Sequence, residues 1–187
     1  AGMGGGSSDA ASTLIALNRL WDLGLRRVDL ARIGLQLGAD VPFFIHGSNA
    51  WVQGIGEQIS ALEPAHPLPP ARFVVVKPEA GLDTKGIFTS PLLKRDSDNA
   101  TIADFAANHY DFGRNDLQPV AEALCPDVKK VRNWLESLGL QARMTGSGSA
   151  VFAQIKQADF PIAEQCSWTI RICENLPRHP LKEWVAD

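Results

Sequence analysis

The glycine-rich first ten residues constrain the fold of this chain more than any other stretch. They lead directly into a sequence whose apolar residues have helical spacing: Ala10, Leu14, Leu17 and Trp21. Glycine reaches backbone conformations that other residues avoid, and it leaves no side chain between the main chain and a ligand. A helix that follows such a loop directs its free N–H groups and its positive dipole end at one point. This arrangement is typical of a phosphate-binding loop.

The start of this helix separates the loop from better-known phosphate loops. Ser7, Ser8 and Asp9 are good capping residues and predict that the helix begins among them. The P-loop of nucleotide hydrolases requires Lys and then Ser or Thr after its last glycine, and the dinucleotide fingerprint requires glycine where Ser7 stands. Neither matches. A flexible glycine linker is the alternative, although linkers do not usually run into a capped, periodic helix.

Composition limits the class of partner. The chain has 187 residues, enough for one large domain or two small ones, and its net charge of −3 gives no electrostatic footprint for nucleic acid. No apolar run approaches the ~20 residues that span a bilayer. The three cysteines, Cys125, Cys166 and Cys173, lack metal-ligand spacing and favour reduced thiols in a cytoplasmic protein. We therefore expect a small-molecule partner, with no nucleic acid and no membrane.

The first third of the chain predicts two helices, a turn and a hairpin. Val28, Leu30, Ile33 and Leu37 predict a second helix that ends near Gly38. Asp40 stands just ahead of Pro42 and its apolar run, which predicts a turn at Asp40. Residues 49–53 and 57–62 predict two strands around a glycine turn. Four prolines between residues 63 and 71 predict a domain boundary, with domains at 1–66 and 67–187.

The remaining chain predicts an alternation of strands and helices. A continuous apolar run over 72–77 predicts a buried strand, and Asp83 or Thr84 is a predicted cap for a short helix. Later segments with strand or helix patterns are helices at 117–124, at 128–138 with a stop at Gly139, and after Asp159, and strands at 140–145, 150–155 and 168–172. The second glycine-rich turn, Gly146 to Ser149, lies between two of these strands.

Three motifs in this order resemble a known kinase superfamily. They are the Gly-Met-Gly-Gly-Gly-Ser-Ser loop at 2–8, the Gly-Ala-Asp-Val-Pro-Phe-Phe block at 38–44, and the Thr-Gly-Ser-Gly-Ser turn at 145–149. The superfamily includes galactokinase, homoserine kinase, mevalonate kinase and phosphomevalonate kinase. Within it, residues 1–11, the block at 38–44 and the Gly-Ile-Gly-Glu turn at 54–57 look most like the 4-diphosphocytidyl-2-C-methyl-D-erythritol kinases of the non-mevalonate isoprenoid pathway. The resemblance covers residues 1–155.

This resemblance implies a fold and an activity. The fold is α+β, with the end of an ATP-binding domain followed by a ferredoxin-like C-terminal domain that binds substrate. The activity is ATP-dependent phosphorylation of the 2-hydroxyl of a cytidine diphosphate ester of methylerythritol. ATP and the Mg²⁺ that accompanies it are the implied cofactors. Another small-molecule kinase of the superfamily and a non-catalytic nucleotide-binding module remain alternatives, because a fold does not fix a function.

The resemblance also assigns site residues. The cofactor-binding loop comprises Ala1, Gly2, Met3, Gly4, Gly5, Gly6, Ser7, Ser8 and Asp9, which would hold the ATP phosphates. Asp40 is the implied catalytic residue, since a carboxylate can orient or deprotonate the attacking hydroxyl. The implied substrate-binding residues are Thr84, Phe88, Gly146, Ser147 and Gly148.

Each assignment has a purely structural alternative. Asp40 could be a turn or cap residue ahead of Pro42, and the glycine turn at 146–149 could be a tight hairpin. Phe88 falls where the family stacks an aromatic ring on cytosine, and an aromatic face suits a nucleobase, but it could equally belong to the core.

Two departures from the family pattern affect these assignments. In the wider superfamily, two serines directly follow Gly-Leu-Gly, whereas Gly5 and Gly6 stand in those places here, so no metal-binding hydroxyl is assigned. The family's catalytic lysine and part of its cytidine pocket precede the segment that matches Ala1. We therefore expect this chain to be inactive by itself.

Overall fold

The computed structural model describes residues 2–62, 64–107, 109–156 and 167–187. They form two compact units. The helical unit comprises Gly4–Pro69 and Leu176–Asp187, and the sheet unit comprises Gly2 and Met3 with Pro70–Asn175. The predicted boundary among the prolines lies next to this division. The tail from Leu176, which the sequence pattern assigns to the second domain, instead packs in the helical unit.

The helical unit is built from three helices, a hairpin and the tail. Its elements are α1 Gly5–Leu20, α2 Arg27–Leu37, α3 Val41–His46, β1 Ala50–Gln53, β2 Gln58–Ala61 and a 3-10 turn Lys182–Trp184. The predicted hairpin is confirmed, since β1 and β2 pair antiparallel. A core of small and branched residues joins the helices to the tail: Ala11, Ile15, Leu30, Val41, Ile45 and Val185.

The predicted start of α1 is wrong, and its predicted apolar face is confirmed only in part, since Ala10 and Leu14 pack against the core. The helix begins at Gly5 after Gly4, whose φ of 63° is left-handed, and no side chain caps it. Its buried residues are Ala11, Ile15 and Asn18, while Trp21 lies beyond the helix and is 61% exposed. Asn18 is buried because its amide donates to the Leu25 carbonyl and accepts from the Leu25 N–H. The bonds to Leu25 in the α1–α2 turn therefore place Asn18 among the buried residues of the helix.

The predicted bounds of α2 are confirmed, but of its predicted apolar face only Leu30 is buried. Leu30 and Gly34 are buried, whereas Val28 and Leu37 are exposed. A Cβ added at Gly34 would lie 2.8 Å from the side chains of both Val41 and Ile45. Helix α3 therefore packs on the glycine side of α2, and this close approach turns the other apolar residues outward.

The sheet unit contains a four-stranded antiparallel sheet together with helices. The strands are β3 Arg72–Lys77, β4 Ala142–Met144, β5 Val151–Ile155 and β6 Thr169–Glu174, in the order β4-β5-β3-β6. The helices are α4 Thr84–Thr89, α5 Ile102–Ala107, α6 Gln118–Leu124 and α7 Pro126–Ser137. Alternate residues of β3 and β5, including Val74, Val76, Val151 and Ala153, pack against α6 and α7.

The predicted elements of this unit are confirmed where the structure describes them. Asp83 caps α4 by accepting from the N–H groups of Lys85 and Gly86, and Gly139 follows α7 with a φ of 77°. The helix that is predicted after Asp159 lies outside the described residues, and so does Cys166. Across the described part of the chain, no helix has the length and apolarity to cross a membrane.

The side chain of Asn115 makes hydrogen bonds that hold the start of the loop between β4 and β5. The Asn115 amide donates to the carbonyls of Met144, at 2.9 Å, and Gly146, at 2.8 Å. Its Oδ1 accepts from the Leu117 N–H at 3.0 Å. Asn115 therefore ties the glycine turn at 146–149 to the start of α6.

We expect Asn115→Asp to destabilise the protein by about 1–3 kcal/mol, since a carboxylate cannot donate to the two carbonyls it would then face. Urea unfolding of the full-length protein measures this. Asn133→Asp is the matched control, because Asn133 is exposed on α7, and a change of less than about 0.5 kcal/mol is expected there. Equal losses in both variants would contradict the role of Asn115.

We expect the charge state of His46 to make stability depend on pH. Its Nε2 is buried without a hydrogen-bond partner, and burial, followed by the charges of Lys182 and Arg27, lowers its pKa below the ordinary 6.5, while Asp187 opposes the shift. A lowered pKa means that the unfolded chain binds the proton more tightly. This stability is therefore complete above about pH 6.5 and is lost as the pH falls through the folded pKa.

The measurement is the urea midpoint between pH 7.5 and 5 in the wild type and in His46→Gln. Other titrating groups are common to both proteins, so the steeper decline of the wild type reports His46. Parallel declines would show that the imidazole does not contribute.

Candidate functional site

The start of α1 exposes main-chain donors. Ser8 N–H bonds the Gly4 carbonyl at 2.8 Å, so the N–H groups of Gly5, Gly6 and Ser7 precede the first intrahelical bond. Gly4 lies against the ring of Phe44, since a Cβ there would come within 2.9 Å of it. The left-handed turn at Gly4 is therefore packed. The donors after it point out of a 16-residue helix, at the positive end of its dipole.

No contact among the described residues requires glycine at Gly5 or Gly6. Both are helical, both are exposed, and a Cβ at either would meet nothing within 4 Å. Glycine in place of alanine costs a helix roughly 0.5–1 kcal/mol. The two glycines leave an open space at the start of α1, which the methyl group of an alanine would fill. The arrangement fits a phosphate that contacts the main chain directly.

Asp40 lies in the turn between α2 and α3 and is exposed. It occupies the position that precedes α3, but its side chain makes no cap hydrogen bond. The predicted turn is confirmed, and the capping alternative does not describe this side chain. Ser7 Oγ lies 3.9 Å from the position of a Cβ on Gly38, so the start of α1 and this turn are neighbours within the helical unit.

Gly2 packs against the second glycine turn within the sheet unit. Thr145 Oγ1 donates to the Gly2 carbonyl at 2.8 Å. A Cβ at Gly2 would come within 2.6 Å of the Thr145 carbonyl oxygen and 2.9 Å of the Gly148 carbonyl oxygen. A Cβ at Gly146 would come within 2.9 Å of the Gly2 carbonyl oxygen. The first and third sequence motifs are therefore in main-chain contact.

Thr84 and Phe88 lie on α4 of the same unit. Thr84 Oγ1 and Ser147 Oγ form a hydrogen bond of 2.9 Å, which links the start of α4 to the glycine turn. Phe88 is 50% exposed, whereas Ile87 beside it is fully buried. The core alternative for Phe88 is therefore wrong, and the ring is available to a planar ligand.

The predicted site residues thus fall into two described groups. The sheet unit brings together Gly2, Thr84 and the turn at 146–148, and Met3 of that unit is exposed. The helical unit brings the loop residues from Gly4 to Asp9 near the Asp40 turn. Ala1 lies outside the described residues. Sequence reasoning missed Asn115, although an asparagine two residues ahead of Leu117 is a recognisable turn signal.

A cavity of about 650 Å³ lies elsewhere on the sheet unit, and none of the predicted site residues lines it. Its charged lining residues are Asp111, Arg143 and Lys156. The Arg143 guanidinium donates to main-chain carbonyls of the segment from Tyr110 to Gly113 and lies over the Phe152 ring. Burial lowers the pKa of this guanidinium. Because these carbonyls already occupy Arg143, the cavity is a weaker candidate than the glycine loops.

No cluster of metal ligands supplements these groups. Within the described ranges, no three His, Cys, Asp or Glu side chains are grouped so that they could hold a metal ion.

Two family models match the chain. The model described as the GHMP kinases N terminal domain matches residues 1–48, and the model described as GHMP kinases C terminal matches residues 90–165. The first range contains the α1 loop and Asp40, and the second contains the turn at 146–149.

Curated relatives match the whole chain. Proteins named 4-diphosphocytidyl-2-C-methyl-D-erythritol kinase from Delftia acidovorans and Paracidovorax citrulli are 66% and 65% identical over 187 residues, which is 100% of this chain and 65% and 66% of theirs. The protein of the same name from Verminephrobacter eiseniae is 60% identical, over 100% of this chain and 67% of its own. The chain thus spans about two thirds of the length of these relatives.

A solved structure has the same fold. It is titled as the crystal structure of 4-(cytidine 5'-diphospho)-2C-methyl-D-erythritol kinase, has a TM-score of 0.68 and 34% identity, and covers 83% of this chain and 57% of its own. The predicted α+β fold class is confirmed by this likeness and by the family models. The chain belongs to the GHMP kinases and, within them, to the family of the 4-diphosphocytidyl-2-C-methyl-D-erythritol kinases.

Proposed function

We propose that the full-length protein transfers a phosphoryl group from ATP to the 2-hydroxyl of 4-diphosphocytidyl-2-C-methyl-D-erythritol, in the cytoplasm and as a step of the non-mevalonate isoprenoid pathway. The observation that carries the proposal is the open start of α1, where Gly5 and Gly6 leave room for a phosphate beside free N–H groups. The printed names of the relatives supply the acceptor.

The loop residues Gly2 to Asp9, with Ala1 before them, would hold the phosphates of ATP, which supplies the phosphoryl group. The main-chain N–H groups of Gly5, Gly6 and Ser7 would donate to phosphate oxygens, and the helix dipole would favour the negative charge of the phosphates. Magnesium belongs to this proposal as the ion bound with ATP, and no side chain is assigned to it. Catalysis then depends on positioning and charge stabilisation.

Asp40 is the residue that would receive the proton of the acceptor hydroxyl. Its carboxylate is exposed, makes no cap hydrogen bond, and follows the turn that neighbours the start of α1. A carboxylate oxygen within hydrogen-bond reach of the hydroxyl both orients the nucleophile and accepts its proton. The full-length protein would supply the family's lysine from the preceding segment.

The acceptor would contact α4 and the turn after β4. Phe88 offers an exposed aromatic face to the cytosine ring, and such stacking is worth roughly 1–3 kcal/mol per base. Thr84, Ser147 and the main chain of Gly146 and Gly148 lie next to one another through the Thr84–Ser147 hydrogen bond. They would fix the polar part of the same ligand.

We expect Gly6→Ala to change stability and ATP binding in opposite directions. Alanine suits a helical position with no neighbour within 4 Å, so the free energy of unfolding should rise by about 0.4–1 kcal/mol. The new methyl group would occupy the space of a phosphate oxygen, so the KM for ATP should rise about tenfold or more, which corresponds to ~1.4 kcal/mol.

Steady-state kinetics and urea unfolding of the full-length protein measure both effects. Gly81→Ala is the control for kinetics, since a Cβ at Gly81 also meets nothing within 4 Å and the residue lies outside the loop. A Gly6→Ala variant that gains stability and keeps its KM for ATP would contradict phosphate binding here.

We expect Asp40→Asn to lower kcat by roughly 10²- to 10⁴-fold, because the amide cannot accept the hydroxyl proton. The KM for ATP should stay unchanged. The assay measures ATP consumption by the full-length protein with the cytidine diphosphate ester of methylerythritol, and with mevalonate, homoserine and galactose as competing acceptors.

The acceptor series separates the possible outcomes. Turnover with the cytidine ester alone supports the proposal, and preference for another acceptor assigns the chain to a different kinase reaction. ATP binding without turnover of any acceptor would indicate a nucleotide-binding module. An Asp40→Asn variant that keeps the wild-type kcat would remove Asp40 from the mechanism.

A further inference from the structure

The hairpin turn after β1 touches the turn that carries Asp40. Gly56 has a φ of 117°, and a Cβ there would overlap the Ala39 carbonyl oxygen and lie 2.9 Å from the Ala39 carbonyl carbon. Both turns belong to the helical unit. The contact is between main chains, and only glycine allows it at Gly56.

Local hydrogen bonds hold the hairpin turn. The Glu57 carboxylate accepts from the Ile55 N–H at 2.7 Å, and the Gly56 N–H donates to the Gln53 carbonyl at 3.3 Å. Hydrogen bonds from the main chain of Glu57 and Ile55 lower the pKa of the Glu57 carboxyl. The paired strands β1 and β2 continue from this turn. The surface that Gly56 presents to Ala39 is therefore fixed by its own element.

The Asp40 turn has few restraints of its own. Asp40 and Ala39 are exposed, the Asp40 side chain makes no cap bond, and the Val41 N–H bonds the Gly38 carbonyl at 3.1 Å. The Ala39 carbonyl and the Asp40 nitrogen share one planar peptide unit. A contact that fixes the Ala39 oxygen therefore fixes the direction in which the Asp40 backbone, and so its carboxylate, leaves the turn.

We propose that Gly56 is a positioning residue, which holds the Ala39–Asp40 peptide in the orientation that the reaction requires. The inference rests on the proposed role of Asp40 as the proton acceptor. Gly56 itself touches neither ATP nor the acceptor hydroxyl in this scheme and acts through Asp40. A side chain at Gly56 would push the peptide away and misplace the carboxylate. Misplacement by about 1 Å can cost on the order of 100-fold in rate.

The alternative is that Gly56 is needed only for its own backbone conformation and not for its contact with Ala39. Gly24 provides the matched control, because its φ of 63° is also left-handed and a Cβ there would meet nothing within 4 Å. It lies in the same unit, between α1 and α2. Gly24→Ala therefore introduces left-handed backbone strain without a new contact, whereas Gly56→Ala introduces strain and pushes on Ala39.

The test measures kcat and KM for ATP in the full-length protein, with the cytidine diphosphate ester as acceptor. We expect Gly56→Ala to lower kcat about tenfold to 100-fold and to leave KM for ATP within about twofold. Gly24→Ala should change neither constant by more than about twofold. The double variant Gly56→Ala/Asp40→Asn should turn over at the rate of Asp40→Asn alone, since a misplaced amide loses nothing further.

The outcomes distinguish the two proposals. If Gly56→Ala lowers kcat by the same factor in the wild type and in the Asp40→Asn background, Gly56 acts through another group and the inference is overturned. If Asp40→Asn alone keeps the wild-type kcat, the proposed function loses its proton acceptor and the inference is overturned with it. Equal kcat losses in Gly56→Ala and Gly24→Ala would assign the effect to backbone strain and would also overturn the inference.

A second variant covers the case in which Gly56→Ala does not fold. Glu57→Gln weakens the bond to the Ile55 N–H without adding atoms at the contact. A looser hairpin should lower kcat by about threefold with Asp40 present and by nothing in the Asp40→Asn background. An unchanged kcat in Glu57→Gln whose Ile55 amide exchanges faster with solvent would overturn the inference.

Discussion

Main-chain contacts that only glycine permits hold the loops of the candidate site. Gly2 packs on the carbonyls of Thr145 and Gly148 in the sheet unit, and Gly56 packs on the Ala39 carbonyl in the helical unit. A peptide group is planar and has no alternative rotamers. Main-chain contacts therefore fix the position of a loop more rigidly than contacts between flexible side chains do. A phosphoryl-transfer site needs this, because its catalysis depends mainly on holding groups in place.

Gly5 and Gly6 differ from these packed glycines in kind. The packed residues are required by their neighbours or by a left-handed φ, whereas Gly5 and Gly6 are helical with nothing near them. Both glycines destabilise the helix, and no contact among the described residues compensates for this loss of stability. A residue that destabilises its own element without an internal reason is best explained by something that the element binds. The contrast between the two kinds of glycine carries the phosphate assignment.

The sequence predicted the motifs and most of the elements, but neither the helices α3 and α5 nor which helix faces are buried. Ala10 and Leu14 pack against the core of the helical unit, as their spacing predicts. The fully buried apolar residues of α1 are nevertheless Ala11 and Ile15, and Trp21 is exposed. Apolar residues occur on more than one side of this helix, and the choice depends on Asn18 binding Leu25 and on α3 packing over Gly34. Periodicity records where apolar residues lie, and only long-range packing decides which are covered.

The same limit explains why the turn at Asp40 could be predicted from the sequence, whereas the packing of Gly56 against that turn could not. Gly38 and Pro42, two residues to either side of Asp40, predict a turn from the local sequence alone. The hairpin that packs against the turn follows α3 in the chain, and its sequence indicates only its own glycine conformation. An exposed carboxylate without a cap hydrogen bond is available to a ligand, and the conformation of its own backbone determines where the side chain starts. Reactivity at such a residue therefore depends on peptide groups whose side chains take no part in the chemistry.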